Sequence, residues 1–113
     1  MNSPKNRVQL IGNLGAAPEV KNLENGTTVA RMRVATNVNY RNGKGEKATD
    51  TQWHSVTAWG KTAEIAGKYL TKGSEVLIEG KLTYHEYTDK DGQKRHATEI
   101  WVNELVMLDK KVA

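Results

Sequence analysis

Cysteine is missing from this 113-residue chain, phenylalanine is missing too, and proline occurs only twice. Without cysteine there are no disulfides and no thiolate metal ligands, which fits a reducing compartment, so the expected setting is cytoplasmic. Without phenylalanine, the aromatic set is three Trp and four Tyr. These rings carry a polar handle and suit half-exposed positions better than a dry core. No apolar run approaches the roughly 20 residues of a membrane span. The opening "MNSPKNRVQLIGNLG" lacks the charged-then-apolar pattern of a secretory signal, so no membrane partner is expected. With 37% hydrophobic and 27% charged residues, the chain reads as one domain over 1–113, its core from about 5 to 108, with a short flexible C-terminal end.

What is present begins with charge. Seventeen Lys and Arg against thirteen Asp and Glu leave a net +4 and a pI near 9.4. That excess is compatible with a polyanionic partner and does not prove one.

Period-two alternation marks most of the chain. "RVQLIGNLG" reads as a first strand with Val8, Leu10 and Leu14 on one side. "APEVKNLENGT" reads as a turn region around Asn25-Gly26. "TTVARMRVATNVNY" is a second strand, placing Ala30, Met32 and Val34 inward and Arg31 and Arg33 outward. The glycine-rich, charged stretch 41–50 is expected to be a mobile loop. In the third strand, "TQWHSVTAWG", Trp53, Ser55, Thr57 and Trp59 share one face, and His54, Val56 and Ala58 share the other.

Alternation then breaks. In "KTAEIAGKYLTKG" the spacing of Ala63, Ala66 and Leu70 predicts a helix, with Gly73 placed to end it. "SEVLIEGKLTYHEY" returns to period two, with Val76, Ile78, Leu82 and Tyr84 on one face and Glu79, Lys81, Thr83, His85 and Tyr87 on the other. "DKDG" is a turn and "QKRHATEIWVNELVML" a final long strand. Three strands, one helix and two strands predict an all-β, five-stranded Greek-key barrel of the OB type, with the helix between strands three and four.

Two motifs invite a catalytic or metal reading and fail. Gly60-Lys61-Thr62 resembles the end of a phosphate-binding loop, but position 55 is Ser where that loop needs glycine, and the preceding residues form a strand. "DKDGQKRHATE" carries Asp89, Asp91 and Gly92 at calcium-loop spacing, yet Tyr87 and Thr98 occupy its first and last ligand places. His54, His85 and His96 lack metal-ligand spacing, and no nucleophile–base set is visible. The chain is not expected to be an enzyme or to need a cofactor.

The aromatics carry the positive signal. Tyr40, Trp53, Trp59 and Tyr87 lie at or near the polar face, among Arg31, Arg33, Arg41, Lys44, Lys61, Lys72 and Lys81. Rings for stacking and cations for phosphates are what sequence-tolerant binding of a nucleic-acid single strand requires. The competing reading is that these rings cover a subunit interface or pack beneath loops.

"NRVQLIGNLGAAPEV", "GTTVARMRVAT", "TQWHSVTAWGKTAEIAGKYLTKGSEVLIEGKL" and "TEIWVNEL" resemble the bacterial-type single-stranded DNA-binding proteins over about Lys5 to Leu108. The resemblance implies an OB-fold homotetramer that wraps single-stranded DNA and catalyses nothing. It assigns stacking to Tyr40, Trp53, Trp59 and Tyr87, and backbone contacts to Lys61, Lys72, Asn13 and Gly15. His54 matches a subunit-interface histidine. Glu86 and Ser55 stand where that family often has basic residues. Trp101 is unusual, and reads as either a subunit contact or an added stacking surface. The chain given closes on "LDKKVA", without the acidic, phenylalanine-bearing tip of the family, so partners recruited by such a tail are not expected. A dimeric OB module of replication restart, binding protein and DNA together, is the alternative.

Overall fold

The computed structural model describes residues 5–108. Each alternating stretch forms a strand: β1 (Val8–Leu14), β3 (Thr28–Arg41), β4 (Lys47–Trp59), β5 (Glu75–Thr88) and β6 (Lys94–Met107). A short β2 (Glu19–Asn22) lies between β1 and β3, and helix α1 (Gly60–Tyr69) joins β4 to β5. Neighbours run β1-β5-β6-β4-β3-β2, and β1 also pairs with β3. That second pairing closes β1, β3, β4, β6 and β5 into the expected OB barrel, with the helix between its third and fourth strands.

Closure works because β1 serves two partners. Val8 to Asn13 pair antiparallel with β5, and Asn13 and Leu14 then turn onto Ala35 and Val34 of β3. At the opposite seam, β4 and β6 run parallel and share only the pairs Val56–Ile100 and Thr57–Trp101. A bulge at Glu79/Gly80 bends β5 against β6. A Cβ on Gly80 would sit 2.1 Å from the Trp101 carbonyl oxygen, so only glycine lets the strands approach this closely.

The inward set of the alternation fills the barrel. Ala30, Val34, Ala58, Val76 and Ile78 are fully buried, and α1 closes one end with Ala63 and Ala66. Burying one Val or Ile side chain is worth roughly 1.5–3 kcal/mol. Val8 and Leu10 pack only partly against this cluster.

Four local expectations are corrected. The 17–27 turn region contains β2, whose four residues are all exposed, so its pairing with Thr28–Arg31 leaves no apolar alternation to read. Half of the stretch 41–50 is ladder: Lys47 to Asp50 pair with Val38 to Arg41, and 42–46 turn. There the Asn42 Oδ1 accepts from the amides of Lys44 and Glu46. Helix α1 ends at Tyr69, because Leu70 turns extended and buries its side chain; Gly73 instead donates its amide to the Leu14 carbonyl. Tyr84, grouped with the inward residues, is 73% exposed because β5 and β6 run on past the barrel as a free arm. The expected flexible C-terminal end at 109–113 lies outside the described residues. No described helix is long and apolar enough to cross a membrane.

The β5–β6 arm turns on Asp89, which resolves the calcium-loop likeness. Its Oδ1 accepts from the amides of Asp91 and Gln93, and its Oδ2 accepts from Arg95 Nε at 2.9 Å. The Arg95 guanidinium, helped by those amides, holds the Asp89 carboxyl below its ordinary 3.8. A depressed carboxyl stabilises the turn above its ordinary range, and that contribution fades as pH falls through the lowered value. Asp89→Asn is therefore expected to speed amide exchange at 90–93 at neutral pH, with the difference from wild type shrinking below about pH 4. Equal exchange rates at neutral pH would show that the carboxylate does not hold the turn.

Candidate nucleic-acid interface

The outward set of the alternation forms one continuous face. From β4 it takes Trp53, Ser55, Thr57 and Trp59; opposite them on β3 lie Ala35, Arg33, Arg31 and Val29. From the β5–β6 pair it takes Tyr87, His85, Thr83 and Lys81, facing Arg95, Ala97, Glu99 and Trp101. Trp53 and Trp59 are separated by six residues of strand, about 20 Å at the usual rise.

Trp53 is seated by a missing side chain. A Cβ on Gly15 would lie 2.5 Å from the Trp53 ring, so the indole rests directly on backbone. The Gly15 amide donates to the Arg33 carbonyl, tying this loop to β3. The Arg33 guanidinium carbon then sits 5.7 Å from the Trp53 ring centroid, a cation–π arrangement. Trp53 remains 51% exposed, a half-open ring with a charge beside it.

Trp53 lines a small hollow with Gly15, Ala16 and Arg33. Sharing Ala16 and Arg33 with it, an open groove of about 730 Å³ runs across the face, walled by Arg31, Arg33, Ser55, His85 and Tyr87, with Glu99 lining it too. It leads to a second hollow of about 310 Å³ bounded by Lys21, Arg31, Thr57, Trp59 and Glu99. Thr57, which shares the outward parity of the two rings, is buried against Glu99, to which its hydroxyl donates at 3.1 Å. Ser55 alone leaves the gap between Trp53 and Trp59 open. Beside Tyr87, the charge of Glu86 is partly offset by Lys94, whose Nζ is 3.6 Å away.

The remaining sequence-named residues fall elsewhere. Tyr40 and Arg41 line a separate hollow at the tip of the β3–β4 arm, with Lys47 and Thr49. Tyr40 is five residues beyond Ala35, roughly 17 Å along the strand, and alternates with Val38 and Thr36 rather than with Trp53's partners. Arg41 donates to the Gly45 carbonyl, and Lys44 is exposed in the same turn. Lys61 is exposed in the first turn of α1, next to Trp59. Asn13 donates from Nδ2 to the Gly73 carbonyl, and Lys72 is exposed in that adjoining turn. His54 is half-buried, with its Nε2 3.0 Å from Thr36 Oγ1.

Sequence reasoning missed Glu99 and left Trp101 open. Trp101 packs edge-on against Trp59, ring centroids 4.7 Å apart at 76°. His85 stacks on it at 5.5 Å, and the Lys81 Nζ lies 5.0 Å from its centroid. Its indole N–H donates to Glu99. The available signal was parity: in "ATEIWVNEL", Glu99 and Trp101 alternate against the buried Ile100. Among the described residues, no three His, Cys, Asp or Glu converge on a metal-sized site.

The chain is similar to known proteins in sequence and in fold. The model of the single-strand binding protein family matches residues 5–108. Single-stranded DNA-binding protein 1 of Xylella fastidiosa (strain 9a5c) is 44% identical over 107 residues, covering 94% of this chain and 79% of that protein. A Plasmodium falciparum SSB, solved in complex with ssDNA, superposes with a TM-score of 0.86 at 31% identity, covering 96% of this chain and 100% of the other. A deletion mutant of the single-stranded DNA-binding protein from Thermus aquaticus gives 0.79 at 28% identity, over 92% of this chain and 50% of that one. With the family model spanning nearly its whole length, the chain belongs to the single-strand binding protein family.

Proposed function

We propose that this protein binds single-stranded DNA with little sequence preference and protects it during replication, recombination and repair. The observation that carries the reading is the Trp53 seat: an indole laid on Gly15 and flanked by Arg33, which also walls the adjoining groove that leads to the hollow of Trp59. Exposed rings accept any base by stacking, and the arginines meet phosphates without reading sequence. Trp53, Trp59 and Tyr87 stack bases along the groove, and Tyr40 does so where the strand reaches the β3–β4 arm. Arg31, Arg33, Arg41, Lys44, Lys61 and Lys72 contact phosphates, with Asn13 and Gly15 shaping the path beside Trp53. No catalysis is assigned, the whole chain acts as one OB domain, and its place is the cytoplasm with the DNA it covers.

The protein acts as a homotetramer. Away from the groove, Ile11, Leu77 and Val106 stand side by side across β1, β5 and β6. Ile11 is 53% and Val106 42% exposed, an apolar row suited to a second copy. His54, steadied by Thr36 at the base of the β3–β4 arm, belongs to a subunit contact. Its solution mass should be four times the 12.6 kDa chain; a monomeric mass would remove this part of the proposal.

Trp53→Ala and Trp59→Ala should each weaken binding of a labelled dT oligonucleotide by roughly 1–3 kcal/mol per base lost. Unchanged affinity in both variants and their double would rule out stacking. The logarithm of the binding constant should fall linearly with the logarithm of salt, by about 0.7 per phosphate contacted, and a flat response would rule out the phosphate contacts.

Gly15→Ala tests the seat itself. The added Cβ forces the Trp53 ring off its backbone rest, so affinity should drop nearly as far as in Trp53→Ala while thermal stability changes little. Wild-type affinity in Gly15→Ala would mean that the ring's position is unimportant.

A further inference from the structure

We infer that Glu99 is a positioning residue that locks Trp59 and Trp101 into one composite stacking platform; the inference rests on the DNA-binding reading above. A carboxylate lining a groove that attracts phosphates opposes the binding it sits in. Glu99 is nevertheless tied there by three side chains from three strands. Its Oε2 accepts from Thr57 Oγ1 on β4 at 3.1 Å, and its Oε1 accepts from Trp101 Nε1 on β6 at 2.6 Å. His85 Nε2 on β5 lies 3.0 Å from the same Oε1. Its own carbonyl accepts from Thr83 Oγ1 on β5. Two of the roughly four acceptor positions of the carboxylate are thereby taken by hydrogen bonds, one on each oxygen, with His85 at ion-pair distance besides.

The location explains the need. β4 and β6 share only two paired positions, so their ladder is too short to fix the side chains that cross it. Glu99 staples the two strands there, and Thr57 is its anchor on β4. With its N–H held, Trp101 meets Trp59 edge to face, ring centroids 4.7 Å apart, while His85 and Lys81 cover it on the β5 side. Trp59 is the last residue of β4 and makes no side-chain cap to α1. Its neighbour Trp101 thus limits how far it can swing, and a ring already in place loses less freedom when a base stacks on it.

Glu99→Ala, Glu99→Gln and Trp101→Val separate this role from a purely electrostatic one, because the two predict opposite signs. The readouts are poly-dT affinity, its salt slope, and the far-ultraviolet circular-dichroism couplet of the paired indoles. Glu99→Ala removes a negative charge yet should bind about tenfold more weakly, the loss of one stacking contact. Its couplet should shrink and its salt slope should stay unchanged. Glu99→Gln keeps an oxygen for Trp101 Nε1 and should retain the couplet with affinity at or above wild type. Equal or tighter binding by Glu99→Ala, or an intact couplet, would overturn the inference and leave Glu99 a repulsive charge only. If Glu99→Ala fails to melt cooperatively, Trp101→Val decides: a similar loss supports the platform, and wild-type affinity overturns it. Wild-type protein that does not bind poly-dT would remove the DNA-binding reading as well, whereas wild-type binding with unaffected variants removes this inference alone.

Discussion

Closure of a small barrel is the constraint from which the rest of the molecule follows. Once β1 bridges β5 and β3, the interior has a fixed and narrow volume. It is filled by side chains as small as Ala30, Ala58, Ala63 and Ala66 beside Val34, Val76 and Ile78, all with essentially no exposure. Close-packed interiors do not stretch to admit an indole. Pleat and volume therefore agree: the large rings of β4 must go outside, on the face already bearing Ser55 and Thr57. Placing tryptophan there leaves apolar surface in water, a cost that a binding surface recovers when bases cover it.

On that outer face, position is controlled by backbone at one end and by a side-chain network at the other. Trp53 is fixed by the absence of a Cβ at Gly15, Trp59 by its edge-to-face contact with Trp101 and, behind it, Glu99. Between them the groove carries Arg31 and Arg33 with little else of positive charge, and Glu19 and Glu99 line it too. The surface is thus not a uniformly basic channel. Its cations are placed beside rings, so on the proposed reading stacking and phosphate contact coincide at the same few points.

Those parts that depend on nearest-neighbour alternation were legible in the sequence: the inward Ala30, Met32, Val34, Val56 and Ala58, the outward Trp53, Trp59, Arg31 and Arg33, and the barrel they imply. The parts that depend on which strands meet were not. Glu99 and Thr57 bond across 42 residues, through a parallel seam of two pairs that no local pattern announces. Strand β2 and the outer half of the β3–β4 arm are solvated on both faces, so backbone pairing and polar cross-strand bonds define them, and polar composition there resembles loop. In that arm Thr49 and Thr51 bond to Asn39 and Asn37, a polar ladder that reads in sequence as turn-forming residues. Tyr40 shows the same limit. Its parity with Val34, readable in the alternation, already sets it off Trp53's face, but the ladder length that carries it onto the arm is visible only in the fold.

On the proposed reading, the exposed indoles of this face meet bases. Intrinsic tryptophan fluorescence, followed through a titration with poly-dT at low and at high salt, tests it most directly. The account expects strong quenching that saturates at a fixed ratio of nucleotide to protein and reverses as salt is raised. Fluorescence unchanged by poly-dT at low salt would contradict it, placing Trp53 and Trp59 against protein rather than DNA.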